Sequence, residues 1–147
     1  MTCVRRERGM REFRLDTVWP PGDCAVIRVA GKVDLYTAPM LRVRIRELAA
    51  GGAVHLIADL GPSDSFDPTG AGVLACGLKR LREDGGSLAV ATSAPSVLRT
   101  FQITGLTKAI AVWPSVADAV TADPHWRETA ESQAGNARAW CRQYGLS

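Results

Sequence analysis

Asp59-Leu-Gly-Pro-Ser-Asp-Ser-Phe-Asp-Pro-Thr69-Gly-Ala-Gly72 is the stretch on which the fold turns. The run that leads into it, residues 54–60, is apolar on both alternating sets, as a central strand is when its neighbours and a helix layer cover it. Beyond it, Val73, Leu74, Leu78 and Leu81 fall at the spacing that lines one helix face, with Lys79, Arg80 and Arg82 outside. A strand, a polar loop and a helix therefore follow one another, the helix running from Thr69 or Gly70 to Glu83. Thr69 stands at or beside the N-cap, where a hydroxyl accepts from unpaired first-turn amides. A phosphate on that hydroxyl would lie in the positive end of the helix dipole. Gly70, Gly72 and Gly77 each cost a helix up to about 1 kcal/mol relative to alanine, which predicts close backbone approach to the sheet or to a partner.

Working outward, residues 12–18 form a strand candidate, and Trp19-Pro-Pro-Gly-Asp23 is a strong turn signal. Residues 24–33 alternate, with Ala25, Ile27 and Val29 on one face and Val26, Arg28 and Ala30 on the other, so the two strands make a hairpin. Thr37 is an N-cap candidate with Pro39 in the first turn. Ala38, Leu41, Ile45 and Leu48 line the buried face of that helix, Arg42, Arg46 and Glu47 its wet face, and Gly51-Gly52 stops it. Downstream, 87–91 reads as a strand. A helix opens at Ser93-Ala-Pro95, buries Val97, Leu98 and Phe101 and stops at Gly105; a last strand covers 109–112, and Ser115-Val-Ala-Asp118 begins a helix reaching 122.

From residue 123 the pattern dissolves. Trp126, Trp140 and Tyr144 stand among polar residues, which predicts a partly ordered extension over 123–147 with one short helix near 137–144, its aromatics free to cover an apolar patch. Residues 1–11 read as a flexible basic arm. The expected fold class is α/β: a single domain over 12–122, an open mixed sheet with an edge hairpin, and about four helices packed mainly on one face.

A chain of 147 residues suffices for one hydrophobic core. No apolar run approaches the roughly 20 residues that cross a bilayer, and the start lacks the apolar stretch of a secretory signal, so a cytoplasmic protein without membrane contact is expected. Cys3, Cys24, Cys76 and Cys141 form no Cys-x-x-Cys pair and predict neither a disulfide framework nor a metal site; Cys24 and Cys76 read as packing residues and the other two as incidental. His55 and His125 lie far apart in sequence without a partner that points to a ligand pair or triad, so no metal, cofactor or catalytic set is expected. The net charge of +3 is modest. Arg5, Arg6, Arg8 and Arg11 share the arm with Glu7 and Glu12, which favours a solvated end over direct nucleic-acid binding.

Three blocks together resemble the STAS domain of bacterial anti-sigma factor antagonists. The first, Val26-Ile-Arg-Val-Ala-Gly-Lys-Val-Asp-Leu-Tyr-Thr-Ala-Pro39, fills a Gly-x-x-Asp-x-x-x-Ala-x-x-Leu signature with Gly31, Asp34, Ala38 and Leu41. The second runs from Asp59 to Leu74 and is similar to an Asp-Ser-(Ser/Thr)-Gly phosphorylation motif. The third is Leu98-Arg-Thr-Phe-Gln-Ile-Thr-Gly-Leu106. By that resemblance Thr69 matches the phosphorylated hydroxyl, Asp67 the acid two positions before it and Gly70 the following glycine. Pro68 departs from the family by replacing a serine, and Ser65 before Phe66 alters the usual apolar pair.

The resemblance implies a protein that binds an anti-sigma factor of the Ser/Thr-kinase type while unphosphorylated, releases a sigma factor, and is switched off by phosphorylation of Thr69. Asp34, Asp67, Pro68, Thr69, Gly70 and Gly72 are the partner-binding candidates. ATP and Mg²⁺ would belong to the partner, a Ser/Thr phosphatase would reset the site, and the chain itself would be no enzyme. Alternatives stay open. One is a constitutive interaction module without the phosphate, for which the stiffer Pro68 argues. Another is nucleotide binding, although Gly70-Ala-Gly72 lacks the Gly-Lys-Ser/Thr of a P-loop. A third is DNA binding by the arginine arm, which would be steeply salt-dependent.

Overall fold

The computed structural model describes residues 12–146. The basic arm expected over 1–11 lies outside them. Strands β1 (Arg14–Val18) and β2 (Cys24–Val33) form the antiparallel hairpin, with Leu15 opposite Val29 and Val18 opposite Val26. Helix α1 (Ala38–Ala50) leads to β3 (His55–Asp59), β4 (Ser63–Phe66) and α2 (Pro68–Glu83). β5 (Ser87–Ala91), α3 (Pro95–Ile103), a 3-10 turn at Leu106–Lys108, β6 (Ala111–Trp113) and α4 (Val116–Ala122) follow, then α5 (Pro124–Ala134) and α6 (Ala137–Gln143). The sheet order is β1-β2-β3-β5-β6, every pair parallel except the hairpin.

The loop expected after residue 60 contains a strand. β4 runs parallel to the far end of β2, with Gly31 opposite Ser63 and Val33 opposite Phe66. It resumes the line that β3 leaves, and Ser63 Oγ donates to Val29 O at 2.8 Å. Its sequence, Ser-Asp-Ser-Phe, lacks the β-branched residues that mark strands, so backbone pairing to β2 overrides weak propensity.

Strand alternation builds two cores. Ala25, Ile27, Val29, Leu56, Ala58, Leu60, Leu88 and Val90 pack under α1, α2 and α3, where Leu41, Ile45, Leu74, Leu81 and Phe101 are buried. Cys24, Val26, Ile57 and Ala91 point the other way, against Val116, Val120, Trp126, Ala130, Trp140 and Cys141 of α4, α5 and α6. The expectation of about four helices mainly on one face is corrected: among the described residues there are six helices, and three cover the second face. The physical reason is in the strands, which carry apolar side chains on both sides and must be covered twice. Residues 124–143, expected to hold one short helix, hold two.

The cysteine reading also changes. Cys76 is exposed on α2, whereas Cys141 is buried in the second core; with buried Cys24, all three are free thiols.

Asp59 ends β3 almost fully buried, its Oδ2 3.4 Å from Arg28 Nε and its Oδ1 accepting from Gly61 N at 3.0 Å. Desolvation outweighs the Gly61 bond and the Arg28 charge, so its pKa rises above 3.8. The fold therefore holds a proton there more tightly than the unfolded chain. The resulting stability is fully present below pH 3.8 and is lost as pH rises through the elevated value. Asp59→Asn is expected to raise Tm at neutral pH in thermal melts, and the gain should vanish as pH falls below 3.8.

Candidate functional site

The site is built where β2 and β4 end side by side. Val33 pairs with Phe66, and Asp67 N donates to Val33 O at 3.1 Å, so the turns starting at Asp34 and Asp67 leave the sheet as neighbours. Gly31 precedes them at φ +84°, and a Cβ there would meet Glu12 O and Phe13 Cα at 2.9 Å. Both the left-handed backbone and the close passage of the chain before β1 require glycine.

Asp67, not Thr69, caps α2. Its Oδ1 accepts from Thr69 N at 2.9 Å and Gly70 N at 3.3 Å, and Pro68 occupies the first helical position. Proline is favoured there because its missing amide would have been unpaired and its φ is already helical. Asp67 also has the extended backbone that a residue before proline prefers. Thr69 is consequently an exposed second residue of the helix, with its hydroxyl free of the capping role expected for it. Asp67 O also accepts from Gly70 N at 3.0 Å and Ala71 N at 3.3 Å, so the first-turn amides already have partners. Asp67→Ala is expected to lower stability by about 1 kcal/mol, read as a shift of the urea midpoint at constant slope.

Gly70 is buried, and a Cβ on it would sit 2.8 Å from Val33 Cγ1 and 2.9 Å from the Phe66 ring. That is the close approach to the sheet expected from its helix penalty. Gly77 instead approaches a neighbouring helix, where a Cβ would sit 3.3 Å from Ile45 of α1, and Gly72 is exposed, its Cβ meeting open space. Thr100 on α3 donates to Phe66 O at 2.6 Å and fixes the strand end that precedes the cap.

Asp34 shapes the neighbouring turn. Its Oδ1 accepts from Tyr36 N at 2.9 Å and Thr37 N at 3.1 Å, and its own N–H donates to Thr37 Oγ1 at 2.9 Å. Thr37 occupies the N-cap position of α1 without making the cap bond; its hydroxyl donates instead to Lys32 O at 2.9 Å. The turn pushes Leu35 and Tyr36 outward, 65% and 84% exposed. Sequence reasoning missed these two. They fill unspecified positions of the signature, and the available signal was two large apolar residues inside a turn. An open cleft of about 770 Å³ between β1 and α1 sets Leu15, Met40 and Val43 among the charged side chains of Arg14, Asp16, Arg44 and Glu47.

The two histidines come together, against expectation. Their rings stack with centroids 3.9 Å apart beside Asp23, at the opposite end of β2. Chain topology does this: β2 and β3 are adjacent and parallel, and α5 returns across their first residues.

The STAS domain family model matches residues 18–119. The anti-sigma-B factor antagonist of Bacillus subtilis is 38% identical over 80 residues, 54% of this chain and 72% of that protein. An anti-sigma factor antagonist from Mycobacterium paratuberculosis has a crystal structure that superposes with a TM-score of 0.68 at 28% identity, over 75% of this chain and 92% of the other. The fold is also that of Bacillus SpoIIAA in its phosphorylated form, with a TM-score of 0.57 at 20% identity over 75% and 97% of the two chains. The matched region holds the sheet, the glycine-led turn at Asp34 and the acid-capped helix that carries Thr69, and the chain belongs to the STAS domain family, in the company of proteins named as anti-sigma factor antagonists.

Proposed function

We propose that the chain is an anti-sigma factor antagonist whose Thr69 hydroxyl is the phosphate acceptor of a partner-switching cycle. The observation that carries this reading is the exposure of Thr69 on the first turn of α2, beside a cap supplied by Asp67. A kinase reaches such a hydroxyl without unfolding the helix, and the phosphate would project into solvent. Unphosphorylated, the chain binds an anti-sigma factor of the Ser/Thr-kinase type and a sigma factor is released. ATP and Mg²⁺ enter with that kinase, and a phosphatase restores the hydroxyl. The chain acts by binding rather than by catalysis, in the cytoplasm; no helix among the described residues is long and apolar enough to cross a membrane.

The partner's contact surface combines Thr69, Pro68 and Gly72 with the Leu35-Tyr36 turn that Asp34 holds out. Gly72 leaves room for close approach. Asp67 and Gly70 serve by fixing the helix start. Exposed aromatic and aliphatic side chains grouped beside polar ones are the usual anchors of such an interface.

A second reading has its own observation. Pro68 makes the loop before Thr69 stiff, which suits a constitutive module that binds without being modified. Intact-mass measurement after incubation with ATP, Mg²⁺ and each anti-sigma kinase of the same organism separates the two. One added phosphate that Thr69→Ala abolishes supports the switch. A kinase that binds but never modifies the chain leaves the constitutive module as the better account.

A further inference from the structure

At the start of β2, away from Thr69, three different donor atoms converge. His125 Nε2 lies 2.9 Å from Asp23 Oδ1, Cys24 Sγ lies 3.6 Å from the same oxygen, and all three ligand atoms fall within 4.8 Å of one another. We propose that Asp23, Cys24 and His125 bind a zinc-class divalent ion that fastens α5 to the sheet.

The distances match the chemistry. A tetrahedral zinc ion with bonds of about 2.0 Å to nitrogen and oxygen and about 2.3 Å to sulfur sets neighbouring ligand atoms about 3.3–3.5 Å apart. The observed 2.9 and 3.6 Å bracket that spacing, and the third pair, Cys24 Sγ and His125 Nε2, lies within 4.8 Å, a separation that rotation of the half-exposed His125 side chain closes on the ion. One thiolate, one imidazole and one carboxylate are each ordinary zinc ligands, and the mixture of sulfur with nitrogen and oxygen disfavours magnesium and calcium. Asp23 and His125 are half-exposed, which leaves an entry path and a fourth position for water.

The surroundings orient the ligands. His55 stacks on His125; its Nδ1 is 2.9 Å from Ser87 Oγ, which points Nε2 at the outer Asp23 oxygen, 4.0 Å away. Thr129 Oγ1 lies 3.7 Å from Cys24 Sγ. Groups of this kind around a site fix ring and carboxylate orientation. Proton balance is simple: the Cys24 thiol gives up its proton to solvent as the sulfur–metal bond forms, and the His125 proton moves to Nδ1, freeing the Nε2 lone pair. Two ligands lie on β2 and its turn and one on α5, so the ion would join the sheet to a helix that lies beyond the matched family region.

The test is titration of the full chain with Zn²⁺ and, separately, Co²⁺. One ion per chain, about one proton released, a Tm rise of about 5–10 °C at hundredfold excess over Kd, and a near-ultraviolet thiolate-to-cobalt band are expected. Asp23→Asn and His125→Gln alter half-exposed side chains, and with circular dichroism confirming their fold each should weaken binding at least tenfold. Cys24→Ser should lose the band, while Cys76→Ser keeps it. No binding by the wild-type chain, or binding that Asp23→Asn and His125→Gln leave unchanged, overturns the proposal.

Discussion

A phosphate on Thr69 is expected to weaken binding to the anti-sigma partner by about a hundredfold or more, roughly 3 kcal/mol, in calorimetric titration of the phosphorylated full chain. The modification adds about 1.5 to 2 negative charges to a surface that must lose water on association. It does so two residues from the Asp67 carboxylate, and the amides that might have held it are occupied: Thr69 and Gly70 N–H by Asp67 Oδ1, and Ala71 N–H by Asp67 O. The dianion is therefore presented to the partner rather than absorbed by the helix end. It follows that the phosphate should act without refolding. Amide spectra are expected to change near residues 67–72 and to stay unchanged in the second core. Thr69→Ala should bind with nearly unmodified affinity, since the hydroxyl makes no described hydrogen bond in the cap. Thr69→Glu, with one charge, should fall between them. Equal affinity for the modified and unmodified chains would remove the switch from the proposed function.

Where local chemistry and packing agreed, the fold was legible. The bounds of β2 and β5 and the buried stripes of α1 and α2 follow from alternation and helical spacing because those elements face a core on one side and water or a second layer on the other. Two kinds of element were not. β4 exists because β2 offers it an unpaired edge, a fact that lies in the tertiary structure and not in Ser-Asp-Ser-Phe. α2 starts at Pro68, one or two residues before the start expected with Thr69 at or beside the cap, and the signal for it is the Asp-Pro dipeptide. The same dipeptide opens α5, where Asp123 Oδ1 accepts from His125 N at 2.8 Å and Trp126 N at 3.3 Å with Pro124 first in the helix. Two helices of one chain thus begin alike, and recognising the first would have exposed the second. In the candidate site, the motif residues were legible, whereas Leu35 and Tyr36 became visible only when the turn around Asp34 was seen to turn them outward. The histidine pair was invisible because 70 residues of chain separate His55 from His125, and only the return of α5 across β2 and β3 closes that gap.

Trp140→Ala is expected to destabilise the protein by about 3–5 kcal/mol, measured by urea unfolding, the largest loss for any single residue of the C-terminal helices. Its ring is fully buried against Trp126, with centroids 5.7 Å apart in an edge-on arrangement, and beside Tyr144 at 5.0 Å. Its Nε1 donates to Gln133 Oε1 at 2.8 Å, tying α6 to α5. Truncation would open a cavity in the second core, beside Trp126 and Tyr144, and leave the Gln133 oxygen without that donor. Trp126 supplies the contrast. It is just as buried, yet its Nε1 has no partner among the described residues. An unpaired buried N–H is itself unfavourable by about 1–3 kcal/mol, so Trp126→Phe removes that cost while giving up only part of the ring's volume. It should destabilise far less than Trp140→Ala. If both substitutions left the urea midpoint unchanged, residues 123–146 would be an appendage laid on a sheet that is stable without them. The apolar face formed by Cys24, Val26, Ile57 and Ala91 argues the opposite, because a sheet with that face bare would present a continuous hydrophobic surface to water.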